Sequence, residues 1–245
     1  EYIFKNNNIE IIFHFAAYAA EGLSPFVRVF NYNNNLLATA KLINNAIKYK
    51  IKRFIFTSSM ATYGEGNAPF SEEDELNPVD PYGIAKLACE FDLKVAHDQH
   101  GLEYCIIKPH NVYGPNMGFE HVVPEFINRF KSLKGKNFKI QGTGNEIRSF
   151  IYIEDFLRAF SLILNRGKHL NIYNIGTSQR IKIKDLAYKL SKMFKKKIII
   201  KKTSLAKGGT FIRVPDINKI KKLGFKPKFN LNKGLKKILK KDNQA

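Results

Sequence analysis

Arg53-Phe54-Ile55-Phe56-Thr57-Ser58-Ser59 is a short apolar run closed by hydroxyl residues, and it sets the frame for the whole chain. A run of this length bounded by polar residues reads as a buried strand rather than a helix. Upstream, Ile9-Glu10-Ile11-Ile12-Phe13-His14-Phe15 is a second such run and ends in Ala16-Ala17. Downstream, Glu103-Tyr104-Cys105-Ile106-Ile107-Lys108 is a third, followed after Pro109 by His110-Asn111. Between the first two, Leu36, Leu37, Ala40, Ile43 and Ile47 fall on one face of a helix within 26–49. A loop over 64–80, rich in Gly, Asn, Pro and acidic residues, leads to a helix from Pro81 to His100. Short buried strands alternating with helices imply βαβ units, hence an α/β fold with a doubly wound parallel sheet. Ligands in such sheets sit at the carboxyl ends of the strands. Small or polar residues stand at all three ends.

After Pro109 the elements shorten. Helices are expected near 122–133, 153–165, 183–194 and 231–240, and strands near 138–140, 148–152, 171–175 and 197–201. The expected organisation is a sheet domain over 1–108, with a return strand near 170–176, and a smaller α+β lobe over 109–245.

At 245 residues and 44% hydrophobic the chain can bury a sizeable core. It has no run of eighteen apolar residues that could span a bilayer. Glu1-Tyr2-Ile3-Phe4-Lys5 lacks the pattern of a signal peptide and reads as a start in mid-domain. Cys89 and Cys105 have no metal-ligand spacing and make no disulfide framework, which suits a reducing cytoplasm. The net charge of +20 raises the question of nucleic acid, yet only eight of the 41 basic residues are Arg. The excess Lys is scattered among Asn on what read as solvated surfaces, so nucleic acid is not the expected partner and an RNA-associated protein is the weaker alternative.

The chemistry centres on Asp80-Pro81-Tyr82-Gly83-Ile84-Ala85-Lys86. On a helix Tyr82 and Lys86 share a face at i and i+4. An ammonium about 4 Å from a phenol, at an effective dielectric near 20, favours the phenolate by roughly 4 kcal/mol, or about three pKa units. That would bring Tyr82 within reach of base catalysis near neutral pH. The spacing recurs at Tyr104/Lys108, which a strand would hold far apart, and at Tyr188/Lys192 on a Lys-rich helix. Only Tyr82 follows a buried strand that ends in Ser58-Ser59. His14, inside a strand, reads as a satisfied core histidine.

With these stretches the chain resembles the extended short-chain dehydrogenase/reductase family, and within it nucleotide-sugar epimerases of the UDP-glucose 4-epimerase type. The matching residues are His14-Phe15-Ala16-Ala17, Asn35 with Thr39, Phe54 to Ser59 with Tyr63-Gly64, Pro81 to Lys86, His110-Asn111-Val112-Tyr113-Gly114-Pro115, Gly142-Thr143-Gly144 with Arg148, and Ile212 to Ile217 with Leu223-Gly224-Phe225. The resemblance implies a Rossmann-like domain that binds NAD, a nucleotide-diphosphate sugar as substrate, and a homodimer formed through the helices at 29–49 and 81–100. It implies Tyr82 as base, Ser59 as proton relay to the sugar hydroxyl, and Lys86 as holder of the nicotinamide ribose. Phe15, Ala16, Ala17, Thr57 and Ser58 would line the cofactor, Asn35 would support that loop, and His110 would pack against the nicotinamide. Asn111, Arg148 and Lys207 would contact the sugar diphosphate, Lys207 standing where the family's usual residue is Arg.

Met60 and Ala61 narrow the reaction. Relatives that dehydrate across C5 and C6 place Asp and Glu at these positions, decarboxylating members place a Glu, and members epimerising through an enolate use a Cys. Neither Met nor Ala serves any of these, which leaves redox at one carbon. A 4-epimerase oxidising transiently at C4 is the expected function, a 4-keto-sugar-nucleotide reductase the nearest alternative, and a non-catalytic relative the third. The family's glycine-rich strand–turn–helix does not precede Ile9, so the sequence is expected to lack about 60 residues of the usual fold at its front, and these 245 residues alone are expected to be poorly active.

Overall fold

The computed structural model of the chain describes residues 1–118, 121–204 and 210–242. Helix α1 (Tyr2–Asn6) leads into β1 (Ile11–His14). Next come α2 (Arg28–Tyr32), a π-helical turn (Asn33–Leu37) and α3 (Ala38–Lys48), which run on as one helical rod. Then follow β2 (Arg53–Thr57), α4 (Pro81–His100), β3 (Tyr104–Pro109), β4 (Val112–Tyr113), α5 (Val122–Ser132) and β5 (Asn137–Ile140). The rest comprises β6 (Ile147–Ser149), β7 (Ile151–Tyr152), α6 (Ile153–Arg166), β8 (Asn171–Ile175), β9 (Arg180–Lys182), α7 (Ile183–Met193), β10 (Ile199–Lys202), β11 (Ile212–Arg213), α8 (Asn218–Lys222) and α9 (Leu231–Asp242).

The central sheet is wholly parallel in the order β1-β2-β3-β8. Its strands alternate sides, and both sides are covered. Phe54 and Phe56 of β2 and Ile106 of β3 pack with Ile43, Ala46, Cys89 and Leu93 from α3 and α4. Ile55, Cys105 and Ile107 point the other way, against Phe156, Ala159, Ile163 and Ile220 of α6 and α8. Burial on both faces is why β2 and β3 read as continuous apolar runs, whereas β1 lies at the sheet edge with Ile11 and Phe13 exposed, contrary to the buried strand expected there. Past β3 a third apolar cluster joins α5, α7 and α9, with Phe130 stacked on Phe138 at 4.5 Å between ring centroids. The two cysteines are free and buried.

The rod over residues 28–48 departs from a plain helix at the π-turn. Asn35 turns inward there and clasps the backbone of Tyr18 in the loop after β1. Its Oδ1 accepts from the Tyr18 N–H at 2.9 Å, and its Nδ2 donates to the Tyr18 carbonyl at 3.1 Å. Asn35 also donates to Asn31, which donates to the Pro81 carbonyl at the head of α4. Such inserted side-chain bonding is a recognised cause of local helix widening.

His14 is buried, its Nε2 within 2.9 Å of Thr39 Oγ1. Burial pulls its imidazole down to about 4, with Lys86 acting in the same direction. The unfolded chain, with an ordinary His near 6.5, binds that proton first. This stability is therefore present above pH 6.5 and is lost as pH falls toward 4. At ~1.4 kcal/mol per unit the window is worth about 3 kcal/mol. Urea midpoints at pH 7 and pH 5 check this. His14→Gln is expected to flatten the difference, and an unchanged slope would refute the assignment.

Candidate active site

Tyr82 enters the site through the way α4 begins. Asp80 caps the helix by accepting from the Tyr82 and Gly83 N–H groups at 2.8 and 3.0 Å, and Pro81 occupies the first turn. Gly83 lets that turn approach the 3-10 turn Met60–Thr62, since a Cβ there would lie 2.7 Å from the Ala61 carbonyl oxygen. Ser59 caps the same 3-10 turn, its Oγ accepting from the Ala61 N–H at 3.1 Å, and its hydroxyl favours the Tyr82 phenolate. Two local motifs, one at the end of β2 and one at the head of α4, thus bring the serine and the tyrosine to the same cavity wall.

A cavity of about 900 Å³ opens over the ends of β1, β2 and β3. Ser59, Tyr82 and Lys86 line it together with Thr57, Ser58, Phe15, Ala17 and Asn111. Ala16 is exposed and outside the wall. Asn111, held at a φ of 42°, donates from Nδ2 to the Ser149 carbonyl at 2.8 Å. His110 is fully buried beneath the wall, near Asn174, and its neighbour Pro109 reaches the cavity instead. Burial pulls the His110 imidazole down to about 3, so it is neutral. Lys207 lies outside the described residues.

Two sequence expectations are corrected. The first concerns Lys86, whose ammonium does not bring the Tyr82 phenol down toward neutral pH. Its Nζ donates to the Thr57 carbonyl at 2.8 Å and lies 4.8 Å from the centre of the Phe56 ring, against 5.9 Å from that of Tyr82. Burial pushes the phenol up to about 12, with only the Ser59 hydrogen bond opposing it. Burial also pulls Lys86 down to about 8. Desolvation outweighs the i,i+4 proximity because both groups are almost wholly enclosed.

The second concerns Arg148, which is turned away from the cavity. Its guanidinium donates to the carbonyls of Ile147, Thr210 and Phe211 at 2.9–3.0 Å, securing β11 alongside β6. The arginine that does line the cavity is Arg213 on β11. Its fork grips the carboxylate of Glu21, and its Nε donates to Thr210 Oγ1. Neither Glu21 nor the Glu21–Arg213 pair is legible in the sequence, although Arg213 is one of only eight Arg in a Lys-rich chain.

A buried ion pair underlies the site. Lys108 Nζ lies 3.1 Å from Glu90 Oε2, with both side chains enclosed, and Ser58 Oγ donates to Glu90 Oε1. The Lys108 ammonium also sits 4.5 Å from the centre of the Tyr63 ring. A lysine inside an apolar strand run and a glutamate one turn beyond Lys86 were the sequence traces of this pair.

The residues present fit a nicotinamide-bearing cofactor at this end of the sheet. Thr57 Oγ1 is buried without a partner, the loop after β1 offers small side chains, and Lys86 and Tyr82 present polar atoms at the same wall.

Residues 1–176 match the NAD dependent epimerase/dehydratase family. The chain is 34% identical over 202 residues to a dTDP-D-glucose 4,6-dehydratase of Dictyostelium discoideum, covering 78% of this chain and 46% of that protein. It thus spans about half the length of that relative. It is 32% identical over 239 residues to a putative UDP-glucose 4-epimerase of Methanocaldococcus jannaschii, covering 95% of this chain and 76% of that one. Among solved structures, UDP-glucose 4-epimerase of Thermotoga maritima with UDP-glucose superposes with a TM-score of 0.91 at 30% identity, over 99% of this chain and 81% of that one.

Proposed function

Since the chain belongs to the NAD-dependent epimerase/dehydratase family of nucleotide-sugar enzymes, with the short-chain dehydrogenase/reductase fold, we propose that it is a nucleotide-sugar 4-epimerase. The observation that carries this reading is the cavity's chemistry: Ser59, Tyr82 and Lys86 meet there, and Met60 and Ala61 follow Ser59. Met60 lines the wall where dehydration would need a carboxyl group, and Ala61 lies behind it. Among the described lining residues the one carboxylate is Glu21, and Arg213 holds it. The likeness to 4,6-dehydratases favours a dehydratase as the second reading, but the Met60-Ala61 pair offers no group to remove a proton at C5 or to protonate a leaving hydroxyl at C6.

Tyr82 would take the proton of the C4 hydroxyl as the C4–H bond breaks and return it after the 4-keto sugar has turned over. Ser59, bonded to Tyr82, would hold that hydroxyl and relay the proton. Lys86, fixed by Thr57, would hold the nicotinamide ribose, with Phe15, Ala17, Thr57 and Ser58 forming the wall. When bound, NAD supplies the acceptor and donor of the hydride and a cationic ring that opposes the burial of the phenol. Asn111 and Arg213 would meet the sugar diphosphate, Arg213 with the two N–H groups that Glu21 and Thr210 leave free.

The test is incubation of the full-length protein, loaded with NAD, with UDP-galactose and UDP-glucose. Interconversion without net NADH is expected. Loss of water to a 4-keto-6-deoxy sugar would overturn the reading, and so would stoichiometric use of NADH on a 4-keto sugar, which marks a reductase.

A homodimer is part of the same proposal. Ile84, Phe91 and Val95 lie on one exposed face of α4; Val29 and Phe30 on the neighbouring rod, and Phe26 (84% exposed) just before it, are exposed as well. An apolar surface of this kind is unusual on a monomer. No helix among the described residues is long and apolar enough to cross a membrane. Phe91→Asp with Val95→Asp should halve the mass seen by sedimentation. A wild-type monomer at micromolar concentration would sink the idea.

A further inference from the structure

Glu21 has no part in the chemistry above, yet its carboxylate stands inside the cavity. It sits on the 3-10 turn Glu21–Leu23, and this turn is docked onto the head of α4. Ser24, just after the turn, donates to Asp80 and accepts from the Tyr82 N–H. From there the Glu21 side chain reaches Arg213 on β11, 192 residues away, which donates to it from both Nη1 and Nη2. Glu21 therefore lies between the Tyr82 end of the cavity and the Arg213 end. With 28% of its side chain exposed, it is neither sealed off nor free to swing into solvent. Its charge is felt at Tyr82 and at Asp80, where it adds to the burial that pushes both acids up.

We propose that Glu21 is a specificity-determining residue, restricting the cavity to nucleotide sugars whose hexosyl ring is uncharged and excluding those that carry a carboxylate. This rests on the nucleotide-sugar reading of the site. Sugar hydroxyls can donate to the Glu21 oxygens. A uronyl carboxylate cannot, and it meets a like charge in a partly desolvated space. Arg213 gives it little compensation, because three of its five N–H groups are engaged by Glu21 and Thr210 and the other two would be taken by the diphosphate.

The test is equilibrium binding by calorimetry to the full-length protein, with UDP, UDP-glucose and UDP-glucuronate and their deoxythymidine counterparts. UDP-glucose, or its counterpart, should bind at least about tenfold tighter than the matching glucuronate. In Glu21→Gln the ratio should fall to within about threefold, and binding of the bare nucleotide should move less than that. Glu21→Met, judged by a cooperative melt, repeats the test should the Gln variant misfold. A ratio near one in the wild type, or one unmoved by both substitutions, overturns the proposal while leaving the nucleotide-sugar reading intact. Failure of every nucleotide and nucleotide sugar to bind the wild type overturns both.

Discussion

Tyr82→Phe should lower kcat for C4 epimerisation by about a thousandfold and change the KM by no more than a few fold. The substitution removes one oxygen. The ring remains where Asp80 and Gly83 place it, so the cavity keeps its shape. The proton of the C4 hydroxyl then has nowhere to go, because Ser59 alone is a far weaker base and Lys86 is bonded to Thr57. The melting temperature should change little, since Ser59 borders the cavity, where water can replace the lost hydroxyl. Ser59→Ala should fall short of this loss, and the double variant should be scarcely worse than Tyr82→Phe, as expected of groups that act as a unit. Residual turnover above a tenth of wild type in Tyr82→Phe would remove the tyrosine from the mechanism.

Glu90→Gln should cost about 3–5 kcal/mol of stability, the largest loss expected from a single polar substitution here. The glutamate is the counterion of Lys108, whose side chain is fully enclosed, and it receives the Ser58 hydroxyl as well. Removing its charge leaves an ammonium buried against Tyr63 with no anion beside it. Burial already pulls Lys108 down, with Glu90 as the main opposing influence. The variant would therefore shed the proton or admit water, and either weakens the sheet beneath the cavity. Adding Lys108→Met should recover most of the loss, because a neutral side chain of similar length needs no partner. Urea unfolding of the two variants decides this. A Glu90→Gln midpoint within about 1 kcal/mol of wild type, or a double variant no better than the single, would show that the pair does not support the fold.

The two predictions differ in how far the sequence announces them. Tyr82, Lys86 and Ser59 are visible because each stands at a fixed offset from a helix head or strand end, and such offsets translate directly into a shared face. Glu90 and Lys108 lie 18 positions apart on separate elements, so their meeting depends on how α4 packs on β3. Arg148 shows the opposite failure. It stands in a recognisable stretch, yet backbone carbonyls of residues 210 and 211 capture its fork.

What the sequence determined by itself was the alternation of buried strands with one-sided helices, and with it the doubly wound sheet whose strand ends form a site. Periodicity carries that information because burying a strand on two faces, or a helix on one, demands a local pattern. Only the tertiary structure decided where the charges go. Glu21 found Arg213 across 192 residues, and Lys86 found the Thr57 carbonyl rather than the Tyr82 hydroxyl. The physical reason is that a buried charge settles on whichever partner packing brings within about 3 Å, and no local spacing records that choice.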